Sequence, residues 1–144
     1  MKIMFYAAAA LGLALATPAV AQNFPLMGGD YVEVTAVTID DGHSLDYAQF
    51  LASYWKSQEE YAKSQGWTTG FEILSNVDKR KGEPDLYLVR RFKNFADGAE
   101  GERRAAMVRE HVKQSDAQME AASGDRAKYR HIDGTQLLQV LTFK

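Results

Sequence analysis

The sequence contains no cysteine and carries little net charge. Without cysteine the chain forms no disulfide bond and offers no thiol nucleophile or thiolate metal ligand. Its 17 Lys and Arg residues nearly balance 19 Asp and Glu residues, so the formal net charge is −2. Nucleic-acid binding depends on clustered cations, and the short cationic run Lys79-Arg80-Lys81 has the composition of a loop. We therefore expect no nucleic-acid partner, and a fold stabilised by packing or association.

Familiar catalytic motifs are also missing. The sequence has no nucleophile elbow, phosphate-binding loop or dinucleotide fingerprint. Its three histidines, His43, His111 and His131, include no i, i+4 pair of the kind that binds zinc. The aspartates around His43 fit a metal site, but a helix-entry turn explains them more simply, and His131 fits a loop. No metal site is predicted, and the motifs leave open whether the protein is an enzyme.

A long apolar run occurs only at the start of the chain. Lys2 precedes an apolar segment, residues 3–16, and Ala19-Val20-Ala21 gives a small-x-small pattern. A membrane-spanning helix needs about 20 apolar residues, more than this run provides. The features predict a secretory signal peptide over residues 1–21, cleaved after Ala21. The mature protein is then periplasmic or secreted and has no membrane anchor.

Hydrophobic periodicity predicts one domain over residues 31–144, preceded by a lead-in at 22–30. A helix is predicted from Leu45 to Gln65, with Ser44 as N-cap and Gly66 as its stop. The other predicted elements are a first strand Tyr31–Ile39, a hairpin of strands Thr68–Val77 and Asp85–Phe92, a second helix from Asp97 to a cap at Gly124, and a last strand Gly134–Lys144. The order β-α-β-β-α-β predicts an α+β, ferredoxin-like fold with an antiparallel sheet.

The predicted strands are apolar on both faces. In the last strand, for example, Leu138 and Val140 point one way while Leu137 and Leu141 point the other. An antiparallel sheet with one solvated face alternates apolar and polar residues instead. Both faces should therefore be covered, one by the helices and the other most simply by a second copy of the chain, as a homodimer paired through the sheet.

In element order, helix length and two-faced strands, residues 31–144 resemble the dimeric α+β barrels, which include antibiotic-biosynthesis monooxygenases, EthD-like proteins, haem-degrading monooxygenases and stress-responsive barrel proteins. The resemblance rests on no catalytic motif. It implies two sheets packed face to face and a ligand cleft between sheet and helices in each subunit. The predicted signal peptide would make this chain an exported member.

The stretch YWKSQEEYAKSQGW, Tyr54 to Trp67, is rich in aromatic residues. Either these rings form the buried stripe of a helix, or some of them line a ligand site. Core packing is the simpler interpretation. If a small molecule binds, we expect Tyr47, Tyr54 and Trp55 to contact it, with His111 of the second helix nearby.

Two adjacent arginines, Arg90 and Arg91, lie in a predicted strand, so their side chains point to opposite faces. One of them faces a covered surface and needs an anion, either a carboxylate such as Glu33 or Glu72, or a ligand. Together with His111 they are the candidates for catalysis, though no catalytic set is complete.

His111 borders the predicted sheet-facing side of the second helix, where it is either a boundary residue or a general base or haem ligand. In the haem-degrading branch of the resembled family, a helix-two His acts with an Asn on the first strand, and this first strand has no Asn. Haem degradation is not expected, and no cofactor is predicted, although haem binding stays open.

Three functions fit these features. The first is an exported, cofactor-independent monooxygenase-like enzyme acting on an aromatic or carbonyl-bearing ligand. The second is a periplasmic binding protein without chemistry, for haem or another small molecule. The third is a structural or stress-related dimer in which the aromatic residues only pack.

Overall fold

A computed structural model describes residues 23–144 as an α+β fold with one four-stranded antiparallel sheet. The predicted signal peptide lies outside the described residues. The strands, in the spatial order β2-β3-β1-β4, are β1 Leu26–Ile39, β2 Gly70–Ser75, β3 Leu86–Phe92 and β4 Arg130–Phe143. The first helix runs through α1 Ser44–Phe50, a π-helical turn Leu51–Trp55 and α2 Lys56–Ser64; α3 is Gly98–Val112 and α4 is Asp116–Arg126. Within residues 23–144, no helix is both long and apolar enough to cross a bilayer.

Strand β1 begins earlier than predicted, because most of the expected lead-in is part of the sheet. Leu26 to Gly28 pair with β4, and the register shifts between Gly28 and Tyr31. The glycines admit a neighbouring side chain: a Cβ on Gly28 would lie 2.5 Å from Gln139 Nε2, which donates to the Gly29 carbonyl at 3.2 Å. The two glycines suggested a loop in the sequence, whereas here they make a bulge within a strand.

The main core lies between the first helix and the sheet. Val37, Tyr47, Leu51 and Trp55 are between 0% and 6% exposed. In an α-helix, residues four apart drift by about 40° around the axis, so a run of such steps leaves the core face. The wider π-helical turn takes up that drift and keeps Tyr47, Leu51 and Trp55 aimed at the sheet. The sequence pattern predicted this helix but not the π-helical turn, a feature often found at functional sites.

The predicted second helix is two helices. Lys113 adopts a left-handed conformation (φ 54°) and ends α3. Ser115 then starts α4 with a capping box, in which Ser115 and Gln118 exchange hydrogen bonds with each other's backbone. Gly124, predicted as the helix stop, lies inside α4. Neither α3 nor α4 has a buried residue, so these two helices contribute no fully buried side chain to the core.

The strand register defines two faces of the sheet. Val37 and Leu86 pack against the first helix, whereas Val32 and Val89 lie on the opposite face. Val32 and Val89 are 9% and 2% exposed, because neighbouring side chains shield the centre of that face. Its edges are open, and their exposed apolar side chains are Leu74, Leu138 and Val140.

Candidate functional site

An apolar groove lies between the first helix and strand β2. Its volume is about 660 Å³. The helix supplies Ala48, Leu51, Ala52 and Trp55 to one wall, and β2 supplies Phe71 and Ile73 to the other. Polar groups stand only around these walls: Ser44, Lys56, Glu72, Ser75, Asn76 and Asp85.

Two features of the sequence open this groove. Trp55 meets Phe71 edge-on, with ring centroids 5.5 Å apart, and this contact forms the inner end. Ala48 and Ala52 are too short to fill the space between helix and strand. The groove is therefore a gap left by small residues beside a buried tryptophan.

Asp85 lies at the rim of the groove, where two hydrogen bonds hold its side chain. Its carboxylate accepts hydrogen bonds from the Ile39 backbone N–H at 2.8 Å and from Lys79 Nζ at 2.7 Å. Burial alone would raise the pKa of Asp85, but these two hydrogen bonds and the Lys79 charge outweigh it and hold the pKa below its usual value. Asp85 is thus an ionised structural group with its acceptors engaged, which makes it a poor general base.

An ion triad with one buried carboxylate lies beyond the other end of Trp55, and its Arg90 and Glu33 side chains are 41% and 32% exposed. Glu59 is 2% exposed, and its carboxylate accepts from Arg90 Nε at 2.7 Å. Arg90 also contacts Glu33, with Nη1 and Oε1 3.3 Å apart. The position of Glu59 in the charged segment between Lys56 and Lys63 would place it in solvent, whereas the structure buries it. The buried series at 47, 51 and 55 continues to 59, which is the signal that could have found it.

Of the two partners predicted for the covered arginine, a carboxylate or a ligand, the structure shows carboxylates. Arg90 faces the helices and pairs with Glu33 and Glu59. Arg91 points to the opposite face and donates to Glu72 at 2.7 Å, where both side chains are 45% exposed. Both guanidinium groups have protein partners, and neither lines the apolar groove.

A second, smaller cavity of about 190 Å³ lies on the β4 side of the first helix. We call it the arginine cavity, because Arg90, Arg126 and Arg130 line it. Tyr47 and Trp55 are also in its wall, so Trp55 separates the two cavities. Burial raises the pKa of the Tyr47 phenol, and the nearby charges of Arg130 and Arg126 reduce that effect.

The structure does not bring the four predicted ligand-binding residues together. Trp55 lines both cavities and Tyr47 lines the arginine cavity. Tyr54 and His111 lie instead in a separate open pocket between the first helix and the end of α3. There the Tyr54 hydroxyl donates to Gln114 Oε1 at 3.3 Å, and exposed His111 stacks on Tyr61 with ring centroids 4.0 Å apart.

The other two histidines have structural contacts. His43 Nδ1 lies 2.9 Å from Asp46 Oδ2, and its ring stacks on Tyr129, which fits the predicted helix-entry turn. His131, predicted in a loop, lies in β4 and contacts Asp40 at 3.0 Å. Across residues 23–144, no group of three His, Asp or Glu side chains is arranged to hold a metal ion.

Comparisons with known proteins return no relative of this chain. No family model, no curated protein and no solved structure matches it. Any function assigned to the chain must therefore be argued from its own geometry and residues.

Proposed function

We propose that this protein binds a small, largely apolar or aromatic molecule in the groove between the first helix and β2. The observation that carries this proposal is a groove of about 660 Å³ with apolar walls. Ligand sites commonly have volumes of about 300–1,000 Å³, apolar linings and a few convergent polar groups. The π-helical turn that aims Leu51 and Trp55 into the groove adds a second feature common at functional sites.

The polar groups of the groove limit the ligand class. The hydroxyls of Ser44 and Ser75 are donors at its margin, and the Lys56 ammonium there is paired with Glu60 at 2.8 Å. Asp85 is engaged by Ile39 and Lys79. Donors without a free carboxylate suit a ligand that carries carbonyl or similar acceptor groups on an aromatic or aliphatic body.

The same residues favour binding over catalysis. The groove wall contains no histidine and no hydroxyl paired with a base, so it lacks the nucleophile–base contact that covalent catalysis needs. His111 is outside the groove, and it would not reach the iron of a haem seated there. We therefore favour the non-enzymatic binding protein over the monooxygenase-like enzyme and over a haem carrier.

Filling the groove tests this proposal. Ala52 lies in the wall and Ala117 is exposed on α4, so Ala52→Phe removes groove volume while Ala117→Phe adds the same side chain elsewhere. A panel of aromatic ketones, aromatic acids and fatty acids is screened by thermal shift and by the fluorescence of Trp55 in a Trp67→Phe background. We expect a binder that stabilises the parent and Ala117→Phe, with the shift lost in Ala52→Phe. If no panel member binds, or if both variants respond like the parent, the groove is not the site.

We also propose that the α+β fold is ferredoxin-like and pairs through its sheet as a dimeric α+β barrel. The strand order β2-β3-β1-β4 and the exposed Leu74, Leu138 and Val140 on the face away from the helices support it. Light scattering tests the pairing: we expect a dimer that Leu138→Lys converts to monomer. A monomeric parent protein would end the proposal.

We also propose that the protein is exported. The apolar run and small-x-small pattern of residues 1–21 support a cleaved signal peptide. Mass spectrometry of protein expressed in a bacterial host with a periplasm should find a mature chain that starts at Gln22 in the periplasmic fraction. An uncleaved chain in the cytoplasm would contradict export and leave the groove proposal untouched.

A further inference from the structure

The arginine cavity contains two cations that the protein leaves unpaired. The Nε atoms of Arg126 and Arg130 are both buried, and neither has a hydrogen-bond partner among residues 23–144. Neither guanidinium forms an ion pair with a carboxylate in that part of the chain, whereas Arg90 beside them has two. Buried donors and charges without partners are costly, and native proteins pair nearly all of them.

We propose that the arginine cavity is a binding site for a small oxyanion, a carboxylate or phosphate group, held by Arg126 and Arg130. The site is separate from the apolar groove and does not depend on the function proposed for it. Its ligand would accept hydrogen bonds from the guanidinium N–H groups that line the cavity.

The two arginines are positioned by independent elements. Arg126 ends α4, and its guanidinium carbon lies 4.1 Å from the centroid of the Phe50 ring. Such stacking fixes the plane of the guanidinium and leaves the N–H groups at its edge free to bind. The C-terminal end of a helix attracts a cation even without a ligand, but this does not explain Arg130. Arg130 is the first residue of β4, held in register opposite Ile39.

The charge balance of the cavity is positive. Its lining includes three arginines and one carboxylate, Glu33. Arg90 with Glu33 and Glu59 carries a net charge of −1, so Arg126 and Arg130 bring the local balance to +1. The phenol of Tyr47 lines the same cavity and adds an O–H donor. Two forked cations beside a neutral donor match the oxygens of a carboxylate or a phosphate.

Size restricts the ligand. The volume of about 190 Å³ is below the usual range for a drug-sized molecule. It accommodates a free anion such as phosphate or acetate, or the acidic end of a larger molecule whose body stays outside. Carboxylate and phosphate share the required chemistry, and the experiment separates them.

The test measures anion-dependent stability in the protein with residues 1–21 removed. Melting temperatures are recorded with phosphate or acetate against chloride at equal ionic strength, for the parent, Arg126→Gln and Arg130→Gln. Arg103→Gln is the matched control, because Arg103 is an exposed arginine of α3 that pairs with Glu100 outside the cavity. Ala52→Phe tests independence from the groove.

We expect one of the two anions to raise the melting temperature of the parent, Arg103→Gln and Ala52→Phe by about 4 °C at a concentration well above its dissociation constant. Each cavity variant should lose most of that shift and bind the anion about tenfold more weakly by calorimetry. Without anion, Arg130→Gln should melt no lower than the parent, because it removes an unpaired charge. Arg126→Gln also loses the contact with the Phe50 ring and should melt slightly lower.

Two results would overturn the proposal. One is an equal shift in all variants, which would indicate a general salt effect; the other is no shift with either anion. If Arg130→Gln does not fold, Arg126→Gln carries the same comparison, since its side chain lies on α4 rather than in the sheet. Loss of the anion effect with retained groove binding, or the reverse, shows which of the two proposals has failed.

Discussion

One part of the sheet is packed under the first helix, whereas strand β4 at one edge of the sheet is largely exposed. Under the first helix, Val37, Tyr47, Leu51 and Trp55 are at most 6% exposed. Along β4, Leu137, Leu138 and Leu141 are 51%, 49% and 52% exposed, although they alternate between the two faces. The strand is hydrogen-bonded to β1 over most of its length, yet its side chains find little cover.

This difference shows what each helix contributes. The first helix aims a continuous stripe at the sheet, whereas α3 and α4 bury no residue completely. α3 contacts the first helix through the stack of His111 on Tyr61 and through Arg104 above Trp67, 5.3 Å from the ring centroid. Segments with few buried apolar contacts open at low free energy, so stability should be concentrated under the first helix.

Removing Trp55 should have the largest effect. Trp55→Ala deletes a buried indole and should lower the free energy of unfolding by about 3–5 kcal/mol. Trp67→Ala is the matched control: Trp67 is half-buried at the helix-to-strand corner, so its loss should cost about 1–2 kcal/mol. Urea denaturation measures both. Equal costs would mean that the packed side is not the stability core.

The triad around buried Glu59 should give the next effect. Glu59→Gln removes the charge that faces Arg90 in the least exposed part of the site, and we expect a loss of about 2 kcal/mol. Arg90 keeps Glu33, which limits the loss. In Glu72→Gln the exposed pair with Arg91 is broken instead, at a cost below about 0.5 kcal/mol. Chemical denaturation of both variants checks the ranking, and a larger loss for Glu72→Gln would contradict it.

The sequence predicted element types and order better than burial. The apolar, β-branched segments between turn residues and the stripe of the first helix predicted the α+β fold, because both signals are local. Glu59 was assigned to solvent because glutamate is rarely buried without a partner, and its partner Arg90 is 31 residues away. Pairings across such distances are not visible in local periodicity.

One other feature that the sequence analysis missed, the break in the second helix, had a local sequence signal. Ser115 and Gln118 form a capping box, and the S-x-x-Q pattern could have divided the second helix. Gly28 and Gly29 make a bulge only because Gln139 approaches them from β4, a contact that no local rule supplies. The two cavities are likewise the result of packing between distant elements, so only the presence of aromatics and arginines was predictable, not their grouping.

Ionisation of Tyr47, which is buried under the first helix, should make the stability of the fold depend on pH at high pH. Burial raises the pKa of this phenol above the model-compound value of 10.0. The unfolded chain therefore loses the proton first, and the folded state loses stability as the pH rises through 10 toward the folded pKa. Tyr47→Phe should flatten this part of the stability–pH curve measured by urea denaturation. An unchanged slope in the variant would show that Tyr47 is not desolvated.

The smallest effects should come from substitutions in β4, and they test whether the face of the sheet away from the helices is covered. Leu137 lies opposite Glu33 on the helix side, and Leu138 lies opposite Val32 on the other face. Because both are half exposed, Leu137→Ala and Leu138→Ala should each cost about 1 kcal/mol or less in dilute solution.

Protein concentration separates the two variants. If a second copy covers the face away from the helices, raising the concentration stabilises the parent and Leu137→Ala by mass action. Leu138→Ala should gain less, since it trims the shared face. Melting curves over a hundredfold concentration range measure this. Identical concentration dependence in both variants would place any partner elsewhere, and no dependence at all would mean that the open side of the sheet is a solvent-facing surface of a monomer.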